Sequence, residues 1–345
     1  MWKLVRQELK QFFSKGVVIF LVVLCLLGIG YSIVYQSGQS GMFDDIGLVK
    51  GRANYQLERE RSKNYEGAIN EAFLSEVFTW DQQTEQDNGI SESFRFSDVY
   101  QKMRFLLEAD EALGAEREDE NTLEVPLTSF KYYYAPGWGF LLQTFSMWLM
   151  PLALCLLIIL GTTPSFSSEY EANMDEIIGS MQYGRRKQAI AKWIASWIGQ
   201  TIVLLSIFLC IMLVTFFMVG GSGGNASIQF HVREYPYLIS IRSGVLLTIL
   251  FLWLSMMLTG SITMFISRFT RNKIRTVVIS GLILIVPPLL SVSNIPLLEN
   301  IFNLLPLGHS WIGDISIMQG LWIVVLTMVV TLVCCCLTFS HRGSE

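Results

Sequence analysis

Charge is what this sequence has least of. Of 345 residues only 16% are charged and 52% are hydrophobic, and the mean hydropathy is +0.44. That composition excludes a water-soluble monomer. The net charge of −4 offers neither the basic excess of a nucleic-acid-binding surface nor the acidic excess of a solvating tail. Cysteines are few, and all six (Cys25, Cys155, Cys210, Cys334, Cys335 and Cys336) fall inside apolar runs, so free thiols are expected and no disulfide framework. Three histidines, His231, His309 and His341, are scattered without metal-ligand spacing, and no metal site is expected. The nearest thing to a phosphate-cradling loop, GSMQYGRR over 179–186, lacks the Lys and the Ser/Thr that would hold phosphates and magnesium, so the chain is not expected to hydrolyse nucleotide. Ser222 in GGSGG has the letters of a nucleophile elbow, but it follows an apolar helix rather than a strand and reads as a flexible turn. Asn225-Ala226-Ser227 is a glycosylation sequon by letter only. With no convergent catalytic set, no enzyme is expected.

What the sequence has is long apolar runs. Crossing about 30 Å of hydrocarbon takes roughly 20 helical residues. Six stretches qualify, at 17–35, 138–160, 196–220, 244–267, 276–293 and 320–340, and none contains Asp, Glu, Lys, Arg or His. The expected fold class is therefore all-α, a polytopic membrane protein of six spans (TM1 over 17–35, TM2 over 138–160, TM3–TM6 within 196–345). A proton- or ion-coupled transporter usually buries an ionisable residue at mid-membrane, so any transport here should draw its power from outside the bilayer. Lys3, Arg6, Lys10 and Lys15, then Arg185, Arg186, Lys187 and Lys192, then Arg268, Arg271, Lys273 and Arg275 flank alternate spans, which puts both termini in the cytoplasm of a multi-pass plasma-membrane protein. The first run is too long for a cleaved signal peptide and has no small-residue cleavage pattern.

Residues 1–16 place Trp2, Val5, Leu9, Phe12 and Phe13 on one side and the basic residues largely on another, the pattern of an amphipathic interfacial helix. Residues 36–137 carry 10 Lys+Arg against 20 Asp+Glu and read as a separate extracytoplasmic domain. Within it Tyr65, Ile69, Ala72, Phe73 and Val77 keep helical spacing, as do Val99, Met103, Leu106 and Leu113, predicting a helical hairpin with its turn in 81–92. Tyr132, Tyr133, Tyr134 and Trp138 mark re-entry at headgroup level.

The cytoplasmic loop, 161–195, is the informative one. Over 164–192 its composition switches from apolar to acidic to basic: Glu169, Glu171, Asp175 and Glu176 are expected near the start of a short helix and Arg185, Arg186 and Lys187 after its end, which suits a helix dipole and a docking element for a soluble partner. Arg185 and Lys192 could equally anchor at phosphate headgroups. Near the end of the fifth span Pro287 and Pro288 interrupt the apolar run and predict a broken or re-entrant segment near 287–310, with Glu299, His309 and Asp314 outside the spans.

Phe166, Glu169, Glu171, Glu176, Ile178, Arg185 and Lys192 fall on the positions of F-x-x-E-x-E-x-G-T-x-E-x-L-L-x-x-P-x-x-R-x-x-x-x-x-x-K, with Asn173 and Met174 in place of Gly-Thr and Gln182 in place of Pro. In this pattern and in its topology the chain resembles the ABC-2 type transporter permeases, the membrane subunits of type-2 ABC exporters that carry no nucleotide-binding domain. The resemblance implies a coupling helix within 164–184 that rests on a separate cytoplasmic ABC ATPase, with Phe166, Glu169, Glu171, Glu176, Arg185 and Lys192 in ATPase coupling. It also implies short helices in the outer leaflet, with Pro287, Pro288 and Glu299 at a re-entrant gate. Partners would be the ATPase subunits, a second permease (the same chain or a paralogue) and membrane lipid, without nucleic acid; ATP and magnesium would sit on the ATPase and no cofactor on this chain. Charge-free spans suit export of an amphipathic or hydrophobic cargo such as a lipid, peptide antibiotic or drug. The alternative is a sensing or immunity module whose acidic 36–137 domain binds a cationic extracellular peptide and signals to a cytoplasmic partner.

Overall fold

The computed structural model describes residues 1–38, 40–44, 47–69, 102, 130–147, 149–172, 184–231, 238–291, 322, 325–326 and 328–333. These are mostly helical. In chain order they form α1 (Trp2–Phe12), α2 (Lys15–Gly38), β1 (Ser40–Asp44), β2 (Gly47–Lys50), α3 (Arg52–Ser62), β3 (Gly67–Ala68), β4 (Lys131–Tyr132), α4 (Pro136–Ser146), α5 (Leu149–Thr162), α6 (Pro164–Glu171), α7 (Gly184–Val219), α8 (Ile241–Thr270) and α9 (Lys273–Ser291). Four helical stretches are long and apolar enough to cross a membrane: Lys15–Ser37, Leu149–Glu171, Lys187–Val219 and Ile241–Thr270. They overlap the first four apolar runs, the second of them only over 149–160. Residues 276–291 of the fifth run lie in the 19-residue α9. Of the sixth, the described residues 322, 325–326 and 328–333 are helical.

The chain divides into two compact units. The first comprises Met1–Leu27, Thr144–Cys210 and Thr248–Glu345. Here α1 ends at Phe12, whose successor Phe13 leaves helical geometry with its N–H still bonded to Leu9 O at 3.0 Å. Val5 and Phe12 are buried, Leu9 is partly so, and Trp2 is 72% exposed, so the helix is amphipathic as expected although Trp2 does not join the buried side. At the other end of the unit α8 stops at Thr270, Arg271 takes a left-handed φ of 53°, and Asn272 Oδ1 accepts from the N–H groups of Ile274 and Arg275 at 2.9 and 3.2 Å. Asn is a preferred cap for this reason, and it starts α9 after a two-residue connection.

Hydroxyls inside these helices mostly bond their own backbone one turn earlier. Thr162 to Ile158 O, Thr163 to Ile159 O, Ser206 to Ile202 O, Thr259 to Ser255 O, Ser261 to Met257 O and Thr263 to Thr259 O span 2.6–2.9 Å. This satisfies each hydroxyl without a polar neighbour. Thr163 keeps helical dihedrals, so α6 continues α5 even though Pro164 contributes no N–H to the ladder.

The second unit comprises Gly28–Gln143 and Ile211–Leu247. Ser32, Gln36 and Thr215 are buried and linked, Gln36 Nε2 donating to Ser32 Oγ at 3.2 Å and Ser32 meeting Thr215 Oγ1 at 3.2 Å. His231 fits against Gly139, where an added Cβ would lie 2.4 Å from its Cε1. Lys102 Nζ lies 2.7 Å from His231 Nε2. Burial, then the Lys102 charge, hold the imidazole well below its ordinary pKa and keep it neutral.

Four expectations are corrected. The fold is not purely helical: β1 pairs antiparallel with β2, and β3 with β4. Tyr65 and Ile69 do not share a helix, because Lys63–Tyr65 is a 3-10 turn and Gly67, at φ 137°, passes into β3. The rest of the predicted hairpin, and Glu116–Glu120, lie outside the described residues. The second span is not one helix: α4 and α5 are separate, with Pro151 in the first turn of α5, where a missing N–H costs nothing. Finally, Pro287 and Pro288 do not end their helix, which runs to Ser291. They fall in its last turns, so only the carbonyls one turn back, those of Ile283 and Leu284, lose a donor. Residues 292–310, with Glu299, His309 and the remainder of the re-entrant segment, lie outside the described residues.

Candidate functional site

The signature loop of the sequence builds its site on the short helix α6, within the first unit. Phe166 is 1% exposed and packs with Trp193 of α7 and Met264 of α8, flanked by Tyr170 and Leu332. One turn of α7 places Gln188 and Lys192 on the same side. Lys192 Nζ lies 4.4 Å from the Phe166 ring centroid and 2.5 Å from Glu169 Oε1, and it also donates to the carbonyl of Ser165. Gln188 Nε2 donates to the same Glu169 oxygen at 2.5 Å. The Lys192 side chain is 1% exposed and that of Glu169 21%, so this is a buried ion pair whose charges are compensated on the spot.

The far side of α6 is fastened by α8 and α9. Ser267 Oγ donates to Thr163 O at 2.8 Å and accepts the Ser167 N–H at 3.0 Å. Arg268 donates to the Tyr170 hydroxyl, and the guanidinium carbons of Arg268 and Arg271 stand 5.6 and 5.1 Å from the Tyr170 ring centroid. Glu171 takes a salt bridge from Lys273 Nζ at 2.7 Å and the Lys273 N–H at 3.2 Å, with both side chains well exposed.

Helix α1 closes the site from a third direction. Gln11 Nε2 donates to Pro164 O at 3.2 Å and to Ser168 Oγ at 2.5 Å. Val5 meets Ala191 and Ala195. Phe12 enters a slot made by two glycines on different helices: an added Cβ at Gly161 would lie 2.8 Å from Phe12 Cε2, and one at Gly199 2.6 Å from its Cδ1. Glu8 is partly buried beside the Lys192–Glu169 pair. Burial raises its carboxyl, Lys192 opposes that, and Glu169 reinforces it, leaving a pKa pushed up to about 7.

Of the residues singled out in the sequence, Phe166, Glu169 and Lys192 are thus brought together, and Glu171 lies apart with Lys273. Arg185 is in the first turn of α7, its side chain not among those described; Glu176 and Glu299 are outside the described residues. Two expectations change. Glu169 and Glu171 sit in the last turn of α6, not near a helix start, so the helix dipole opposes them and Lys192 and Lys273 supply the compensation. Lys192 is enclosed by protein and does not anchor at headgroups. The sequence reading missed Glu8, Gln11, Gln188, Ser267 and Lys273 as members of the site. Gly161 and Gly199, each inside an apolar run, were the available signal for the Phe12 slot. Among the described residues no group of His, Cys, Asp and Glu could hold a metal ion.

No family model matches the chain, and no curated protein is significantly similar to it.

Proposed function

We propose that this chain is the membrane subunit of an ATP-driven exporter of the ABC-2 kind, moving an amphipathic or hydrophobic cargo and powered by a separate cytoplasmic ATPase. The observation that supports the reading is the way α6 is held. It continues α5 without a break and is tied to α1 by Gln11, to α7 by Lys192 and Gln188, to α8 by Ser267 and Arg268, and to α9 by Lys273. A push delivered just beyond Glu171 therefore cannot move one helix alone; it loads four neighbours together. That is what a coupling element must do if nucleotide-driven closure of an ATPase is to change the packing of spans. On this reading Phe166, Glu169 and Lys192 act as the rigid joint behind the contact rather than as the contact. Glu171 and Glu176, with Arg185 at the far side of the loop, belong to the contact, and a second permease and lipid complete the pathway.

The test is to purify the tagged full chain from its native membrane in mild detergent and identify what accompanies it, with Glu171→Lys and Glu176→Lys in parallel. The expected result is a nucleotide-binding subunit recovered with the parent chain and lost with the charge reversals. Absence of any ATPase, under conditions that retain other membrane complexes, overturns the reading.

A further inference from the structure

Around Glu8 the structure sets two acids against one base. Lys192 is the cation facing it from α7, and it is already engaged by Glu169 Oε1 and Ser165 O. Glu169 faces it from α6 and adds negative charge. The next cation, Arg268 of α8, donates to Tyr170. Gln188 is spent on Glu169 and Gln11 on α6. Lys3, Arg6 and Lys10 of the same helix are exposed. Among the described residues no donor reaches the Glu8 carboxyl. A partly buried carboxylate without a donor, beside a second carboxylate, is destabilised in its charged form and tolerated in its neutral one.

The rest of α1 holds to α5, α6 and α7 through contacts that do not titrate: Val5 on Ala191 and Ala195, Phe12 in the glycine slot, and the Gln11 amide on Pro164 O and Ser168 Oγ. Glu8 is thus the one ionisable residue that α1 itself brings to this face, opposite the Lys192–Glu169 pair. We propose that α1 is a proton-operated latch, closed against α6 and α7 when Glu8 is protonated and loosened when Glu8 ionises. The sign follows from linkage. Docking raises the affinity of Glu8 for its proton, so the docked form binds more protons than the released one. Docking therefore weakens as pH rises from the ordinary carboxylate range to about 7 and is constant above it. Across the neutral range this corresponds to a docking equilibrium about tenfold more favourable at pH 6 than at pH 8.

The experiment is amide hydrogen exchange, read by mass spectrometry, on the full chain in lipid nanodiscs, with the protection of residues 2–12 corrected for intrinsic exchange at each pH and residues 196–210 as the internal reference. The parent chain should show about tenfold greater protection of 2–12 at pH 6 than at pH 8, with the reference unchanged. Glu8→Gln, which keeps shape and stays neutral, should hold the pH 6 level at both. A flat profile in the parent overturns the latch without recourse to any variant. An undiminished profile in Glu8→Gln overturns the assignment to Glu8.

Discussion

Replacing Gly199 by Ala tests whether the Phe12 slot is what seats α1. On the backbone of α7 the new methyl would lie 2.6 and 2.7 Å from Phe12 Cδ1 and Cε1. Carbon atoms do not approach that closely, and Phe12, 4% exposed, is held on its opposite edge by Gly161, where an added Cβ would likewise lie only 2.8 Å from Cε2, so the ring cannot simply slide away. Overpacking of this kind costs about 1–3 kcal/mol. Helix α7 is formed whether α1 is docked or released, so its gain of up to about 1 kcal/mol from losing a glycine cancels, leaving a loss of about 1–3 kcal/mol in α1 docking. Truncating Phe12 to Ala costs more, about 3–5 kcal/mol for a filled aromatic site. The informative quantity is the interaction. In a Phe12→Ala background the clash is gone, so Gly199→Ala should no longer weaken docking, a coupling of about 1–3 kcal/mol. Hydrogen exchange over residues 2–12 in the four proteins of the cycle reads this directly. If Gly199→Ala costs the same whether or not Phe12 is present, the ring does not occupy the slot and the account of α1 docking is wrong.

Two further outcomes follow from charges of opposite standing. Lys192→Ala leaves Glu169 largely enclosed without its counter-ion and should destabilise the first unit by about 3 kcal/mol, whereas Glu171→Gln, in an exposed pair, should leave thermal unfolding in detergent unchanged; equal effects would refute the distinction. His231 is held neutral, so the second unit keeps its full stability above the ordinary histidine pKa and loses it as pH falls, by up to about 1.4 kcal/mol per unit below about pH 6.5. Exchange of the backbone around 226–231 should accelerate accordingly at pH 5 in the parent and not in His231→Gln.

The long apolar runs made the membrane-type helices legible, because twenty or so uninterrupted apolar residues have few other uses. Their ends were not. The third helix begins at Gly184 rather than 196, since Ala189, Ala191 and Ala195 carry a buried face straight through the basic residues. The α4–α5 break was signalled only by Pro151, which hydropathy averages away. The hairpin of β1 and β2 is too short, four or five residues a strand, to leave a clear alternation. In the site, Phe166 and Glu169 were findable because they share a motif on one helix. Their pairing with Lys192 was not, because it depends on how α6 and α7 pack, and Glu8 and Gln11 come from more than 150 residues away.

The self-bonded hydroxyls have a consequence for how such a chain is made. Helices enter a bilayer singly before they assemble, and a lone Ser or Thr seeking a partner in lipid would be costly at that moment. Thr162, Thr163, Ser206, Thr259, Ser261 and Thr263 find their acceptors one turn back in their own segment, so none of these six hydroxyls needs a partner from another helix. Ser267 is different, for its partners Thr163 O and the Ser167 N–H belong to another helix. That bond can form only once α8 has met its neighbour, so Ser267 registers the packing of α6 on α8 in a way that the self-bonded hydroxyls do not.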